Sequence, residues 1–122
     1  AGFVILDYTQ TVIAEGGEYL GITNNNQAEY QGVRLGLEKA LELKFKRVDF
    51  KIDSMLVVNQ MKGFYRIKNR ELWPIHERIR ELMKSFDKVT FNHVAREFNQ
   101  LADGMVNKTL DAHQEAQIKV SA

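Results

Sequence analysis

The 122-residue sequence predicts an α/β layer fold, and three observations carry that prediction. Two extended apolar stretches near the start flank a short polar turn. Helical and strand periodicities then alternate along the rest of the chain. No repeat, low-complexity segment or linker interrupts them, and the length suits one domain with a core of its own.

The elements follow in order. Gly2 to Asp7 and Thr11 to Leu20 read as a hairpin around Tyr8-Thr9-Gln10, with Gly16-Gly17 breaking or bulging its second strand. From Gln27 to Leu43, Ala28, Val33, Leu37, Ala40 and Leu41 recur at helical spacing, and Gly32 and Gly36, four apart, predict close packing on a sheet. Val48, Phe50 and Ile52 alternate with Asp49, Lys51 and Asp53 as a strand with one buried face. A short helix, Ser54 to Met61, comes next, then a polar stretch from Lys62 to Arg70. A further helix from about Glu71 carries Leu72, Ile75, Ile79, Leu82 and Met83 on one face, with Pro74 tolerated in its first turn. Lys88 to Val94 alternates again as a strand, and Asn99 to about His113 reads as a last helix. Residues 1–113 form the expected domain and 114–122 a C-terminal tail, in which Gln117 to Val120 have faint strand character.

Composition sets bounds on function. The absence of cysteine excludes disulfides, thiolate nucleophiles and Cys-bound zinc. A formal charge of +1, from 17 basic and 16 acidic residues, leaves no global field for polyanions, so any nucleic-acid contact is local. The longest purely apolar run, Phe3 to Leu6, is far short of the roughly 20 residues of a membrane helix. The expectation is a soluble, cytoplasmic protein without a membrane partner.

Three acids stand apart from the surface charges. Glu29 falls in the first turn of its expected helix, Asp53 at the C-terminal end of a strand, and Asp103 in the first turns of the last helix. In an open α/β sheet such positions converge on one edge. Clustered carboxylates repel by several kcal/mol, and a divalent cation relieves them. Oxygen-only ligands suit a hard ion, Mg²⁺ or Mn²⁺. The same residues also admit a plainer account, with Glu29 favouring a helix start, Asp53 capping the next helix and Asp103 solvated.

The stretches "TNNNQAEY" (23–30), "IDSMLVVNQMKGFY" (52–65) and "HVAREFNQLADGMVN" (93–107) closely resemble three motifs of type 1 ribonuclease H, and the resemblance spans Ala1 to about Asp111. It implies a mixed central sheet flanked by helices and a nuclease that binds two Mg²⁺ or Mn²⁺ ions and hydrolyses the RNA strand of an RNA/DNA hybrid. By the same resemblance Glu29, Asp53 and Asp103 are the metal-binding catalytic acids. Asn25 and Asn26 contact the hybrid, because an amide can donate and accept at once beside a 2′-hydroxyl. Asn24, Gln27, Ser54 and Asn99 are further substrate contacts, with Asn24 at a place where the family often has Thr. One of the three asparagines also serves as the helix cap. Many relatives have a loop His between the strand of His93 and the helix of Asp103. This chain has Ala95-Arg96-Glu97-Phe98 there, and Arg96 is the candidate for the auxiliary place, as a cation that does not titrate. His93, His76 and His113 read as structural or surface residues. Lys62 to Arg70 interleaves bases with Phe64 and Tyr65, which suits a nucleic-acid backbone with stacking, or a loop whose aromatic plugs the core. Trp73 reads as core or shelf. The active unit is expected to be a monomer.

The family's first acid lies on an opening strand that would precede Ala1, and Asp7 does not replace it. That strand is normally central. Its loss would remove about half a dozen ladder bonds at about 1 kcal/mol each and bare two edges inside the sheet. Three accounts compete: residues ahead of Ala1 in the natural molecule, a true fragment, or another segment, such as Ile118 to Ser121, filling the gap. The first is the favoured expectation.

Overall fold

The structure is a computed structural model that describes residues 2–17, 24–95 and 114–121. Its elements are β1 (Gly2–Leu6), β2 (Val12–Gly17), α1 (Asn25–Glu42), β3 (Arg47–Ile52), α2 (Met55–Met61), a 3₁₀ turn (Arg70–Leu72), α3 (Trp73–Met83), β4 (Lys88–His93) and β5 (Glu115–Ser121). The expected last helix, with Arg96, Asn99, Asp103 and His113, lies outside the described residues.

The hairpin forms as expected. Asp7 Oδ1 accepts from the backbone N–H groups of Thr9 and Thr11 and from the Thr9 hydroxyl, which closes the turn. Gln10 completes it in the left-handed region, with φ 67°. The irregularity falls between Ile5 and Leu6 beside this turn, while Gly16 and Gly17 pair regularly with Phe3 and Gly2.

Helix α1 begins at Asn25, two residues ahead of the expected start, because Asn24 is its N-cap: the Asn24 side-chain oxygen accepts from Gln27 N–H at 2.8 Å. Glu29 therefore stands in the second turn, not the first. At the other end the N–H groups of Phe45 and Lys44 reach the carbonyls of Ala40 and Leu41, with Lys44 at φ 66°, the left-handed stop that ends many helices. Helix α2 is capped by Ser54, whose hydroxyl oxygen accepts from Val57 N–H at 3.3 Å, so Asp53 is not the cap. Pro74 sits in the first turn of α3, where its missing N–H costs nothing.

The sheet has five strands in the order β2-β1-β5-β3-β4. Strand β1 is antiparallel to β2 and β5, and β3 is parallel to β4 and β5. The segment named in the third account takes the central place in this sheet. Residues 115–121, set apart in the sequence as part of a tail, lie in the middle of the sheet and pair on both sides. The physical reason is the pattern of Ala116, Ile118 and Val120, all buried, alternating with Gln117 and Lys119.

The core lies between α1, α3 and one face of this sheet, with Ile5, Val33, Leu37, Phe50, Ile79 and Ile118 fully buried. Phe50 and Phe91, opposite each other on β3 and β4, stack with ring centroids 5.3 Å apart. The other face is polar: Asp49 accepts from Thr90 at 2.7 Å and Asn92 at 2.6 Å, and pairs with Lys51 at 3.1 Å. Among the described residues no helix is long and apolar enough to cross a membrane.

Candidate active site

Two glycines bring the first acid to the sheet edge. A Cβ at Gly32 would come within 2.6 Å of Val120 Cγ1, and one at Gly36 within 3.0 Å of Ile118 Cγ2. Four helical residues advance about 6 Å and two strand residues about 6.6 Å, so α1 runs over β5 in step and in the opposite direction. The N-terminal end of α1 thus overlies the C-terminal end of β5. Glu29, one turn before Gly32, reaches the edge at which β3 delivers Asp53.

Glu29 is only 4% exposed and Asp53 is half-buried. A buried hydrogen bond ties α1 to α2, from the Tyr30 hydroxyl to Gln60 Oε1, at 2.6 Å. Burial pushes the Tyr30 phenol up to about 12. His76 lies 6.3 Å from the Tyr30 ring and is half-buried, in place of the surface position expected. Burial, then the nearby Arg80 charge, hold its pKa below the ordinary value, against a smaller opposing effect of Glu77. His93 is exposed at the end of β4.

The oxygen donors Glu29 and Asp53 suit a hard divalent cation, by the chemistry of the set. Among the described residues no group of three or more His, Cys, Asp or Glu side chains gathers to hold a metal. Asp103, the third acid of the expected set, lies outside those residues, as do Arg96 and Asn99.

The amides divide. Asn24 is engaged as a cap, Gln27 Nε2 donates to Glu71 Oε2 at 2.7 Å, and Asn25 is exposed. Asn26 lines a cleft of about 520 Å³ together with Leu56, Phe64, Tyr65, Arg66 and Lys68. Phe64 is 73% and Tyr65 53% exposed, so neither plugs the core. Trp73 forms a shelf: it is half exposed, donates from its indole nitrogen to the Ile67 carbonyl at 2.9 Å, and carries the Arg70 guanidinium 5.7 Å from its ring centroid. The bases and aromatics of this cleft were legible as an interleaved run. The part of Leu56 was not, since an apolar residue in a helical run reads as core.

A family model described as "Reverse transcriptase-like" matches residues 1–109. Ribonuclease HI of Halobacterium salinarum is 36% identical over 110 residues, covering 90% of this chain and 55% of that protein. A bifunctional protein of Mycobacterium tuberculosis is 34% identical over 102 residues, 84% of this chain and 28% of its own length. The chain thus spans about half or less of these relatives. Among solved structures, RNase H1 of Halobacterium salinarum superposes with a TM-score of 0.76 at 35% identity, covering 90% of this chain and 83% of that one. LC11-RNase H1, isolated from compost and crystallised in complex with an RNA/DNA hybrid, gives 0.74 at 32% identity, with coverage of 90% and 83%. The order of the motifs, the mixed sheet and these matches together show that the chain belongs to the type 1 ribonuclease H family, with the α/β ribonuclease H-like fold.

Proposed function

We propose that the chain is a divalent-metal endoribonuclease acting on the RNA strand of RNA/DNA hybrids, a monomer working in the cytoplasm. The observation that supports it best is the buried carboxylate of Glu29, held on α1 toward the sheet edge where Asp53 directly follows β3. Glu29 and Asp53 would hold one Mg²⁺ or Mn²⁺ ion and Asp103 would help hold a second. Such ions, when bound, activate water and offset the charge that develops at phosphorus.

The chain's own residues orient the hybrid. Asn25 and Asn26 face 2′-hydroxyls and base edges in the shallow groove. Gln27, Ser54 and Asn99 add contacts, with Asn24 fixing the helix start that presents them. Phe64 and Tyr65 offer stacking surface, and Arg66 and Lys68 neutralise a phosphate backbone. Water adds to the scissile phosphorus, its bond to the 3′-oxygen breaks, and that oxygen takes a proton, leaving 3′-hydroxyl and 5′-phosphate ends. Arg96 is the fixed cation of that step.

Asp53→Asn should abolish Mg²⁺-dependent cleavage of a labelled hybrid, with single-stranded and duplex controls, while hybrid affinity changes little. Full-rate cleavage by a clean preparation of that variant would refute the assignment. The exposed aromatic and basic cleft favours a second reading, a module that binds hybrids without cutting them. Spans of 55% and 28% of the relatives also fit an appendage of a larger nucleic-acid enzyme. Binding without cleavage in the same assay selects the binding module, and the length of the native reading frame decides the appendage.

A further inference from the structure

The cleft lined by Asn26, Phe64 and Tyr65 has two banks, and one hydrogen bond joins them. Asn26 comes from the first turn of α1, while Asn69 and Leu72 come from the segment that leads into α3. Gln27 Nε2, next to Asn26, donates across to Glu71 Oε2 at 2.7 Å, between residues 44 apart in the chain. Glu71 is itself held in place. Its backbone N–H donates to Asn69 Oδ1 at 2.9 Å, and Leu72 beside it is buried. The bond brings a carboxylate to a cleft that Arg66 and Lys68 also line. A negative charge there opposes a polyanion, so charge complementarity does not explain it.

We propose that Glu71 is a positioning residue: through Gln27 it fixes the amide end of α1 relative to the aromatic and basic bank, so that one hybrid meets both. Gln27 then contributes by holding Asn26 and its neighbours in place. The proposal rests on the hybrid-binding reading put forward above, and its test separates the two.

Hybrid affinity of the 122-residue protein is measured by fluorescence anisotropy at fixed salt. Glu71→Gln removes the charge and keeps an acceptor for Gln27, whereas Glu71→Ala removes both. Loss of the charge by itself favours binding in the two variants alike. Positioning predicts that Glu71→Ala binds about three- to tenfold more weakly than Glu71→Gln, the reach of one net hydrogen bond. Their melting midpoints should agree, because the bond is exposed and adds little to the fold. Adding Gln27→Ala should weaken Glu71→Gln by the same factor and leave Glu71→Ala unchanged. Should Glu71→Ala fail to fold, Gln27→Ala in the Glu71→Gln background makes the comparison. Equal affinities for the Gln and Ala variants would overturn the proposal and leave hybrid binding standing. So would an equal loss from Gln27→Ala in both backgrounds, since Gln27 would then act without Glu71. If the unaltered protein does not bind the hybrid, the functional reading falls and the proposal with it.

Discussion

Tyr30 shows how one buried polar group supports the site. Its hydroxyl is fully enclosed and donates to Gln60, which joins α1, the helix of Glu29, to α2, which follows Asp53 in the chain. Below pH 10 folded and unfolded chains both keep the phenolic proton. Between pH 10 and about 12 the unfolded chain releases it while the folded one retains it, so stability falls across that window. Urea unfolding at pH 9 and pH 11 should therefore show a loss in the unaltered protein that is smaller in Tyr30→Phe. At neutral pH that variant should be less stable by about 1 to 3 kcal/mol, because the buried Gln60 oxygen loses its donor. The acids and amides at this scale were legible by residue type and spacing. Which amide caps was not: Asn24, Asn25 and Asn26 are chemically alike, and only the hydrogen bond from Gln27 N–H distinguishes Asn24.

At the scale of elements, the fit of α1 on β5 decides where Glu29 lies. Gly32→Ala would force a methyl group against Val120 Cγ1 and toward the Gly2 carbonyl oxygen, 3.2 Å away. The helix must then lift or slide, and a loss of about 1 to 3 kcal/mol is expected in chemical denaturation. If the site depends on this contact, metal affinity should weaken with it, and an unchanged affinity would separate the two. Helix periodicity announced α1, and the two glycines announced its closeness to a sheet. The strand it packs on was hidden. Gln117 to Val120 gives a short alternation that isolated sequence cannot tell from a solvated tail, because strand formation depends on partners supplied from residues 2–6 and 47–52.

Across the whole molecule, β5 holds two halves of the sheet together. Without it the β1–β2 hairpin and the β3–β4 pair share no backbone ladder. Ile118→Asp, placing an unpaired charge at a fully buried position, should cost about 4 kcal/mol or more and abolish the cooperative unfolding transition seen by circular dichroism. A folded, cooperative variant would mean that residues 115–121 are dispensable to the fold. The α/β class was legible because alternation of periods is a local signal. Strand order was not, since the pairing of Gly2 with Ser121 joins positions at opposite ends of the described chain.

That pairing has a kinetic side. The central ladder closes only when segments separated by nearly the full length of the polypeptide meet, a high contact order that slows folding and delays the decisive step. Until then β1 and β3 present bare, mutually compatible borders to any other extended chain in solution. Refolding at high protein concentration should be the condition under which this topology aggregates.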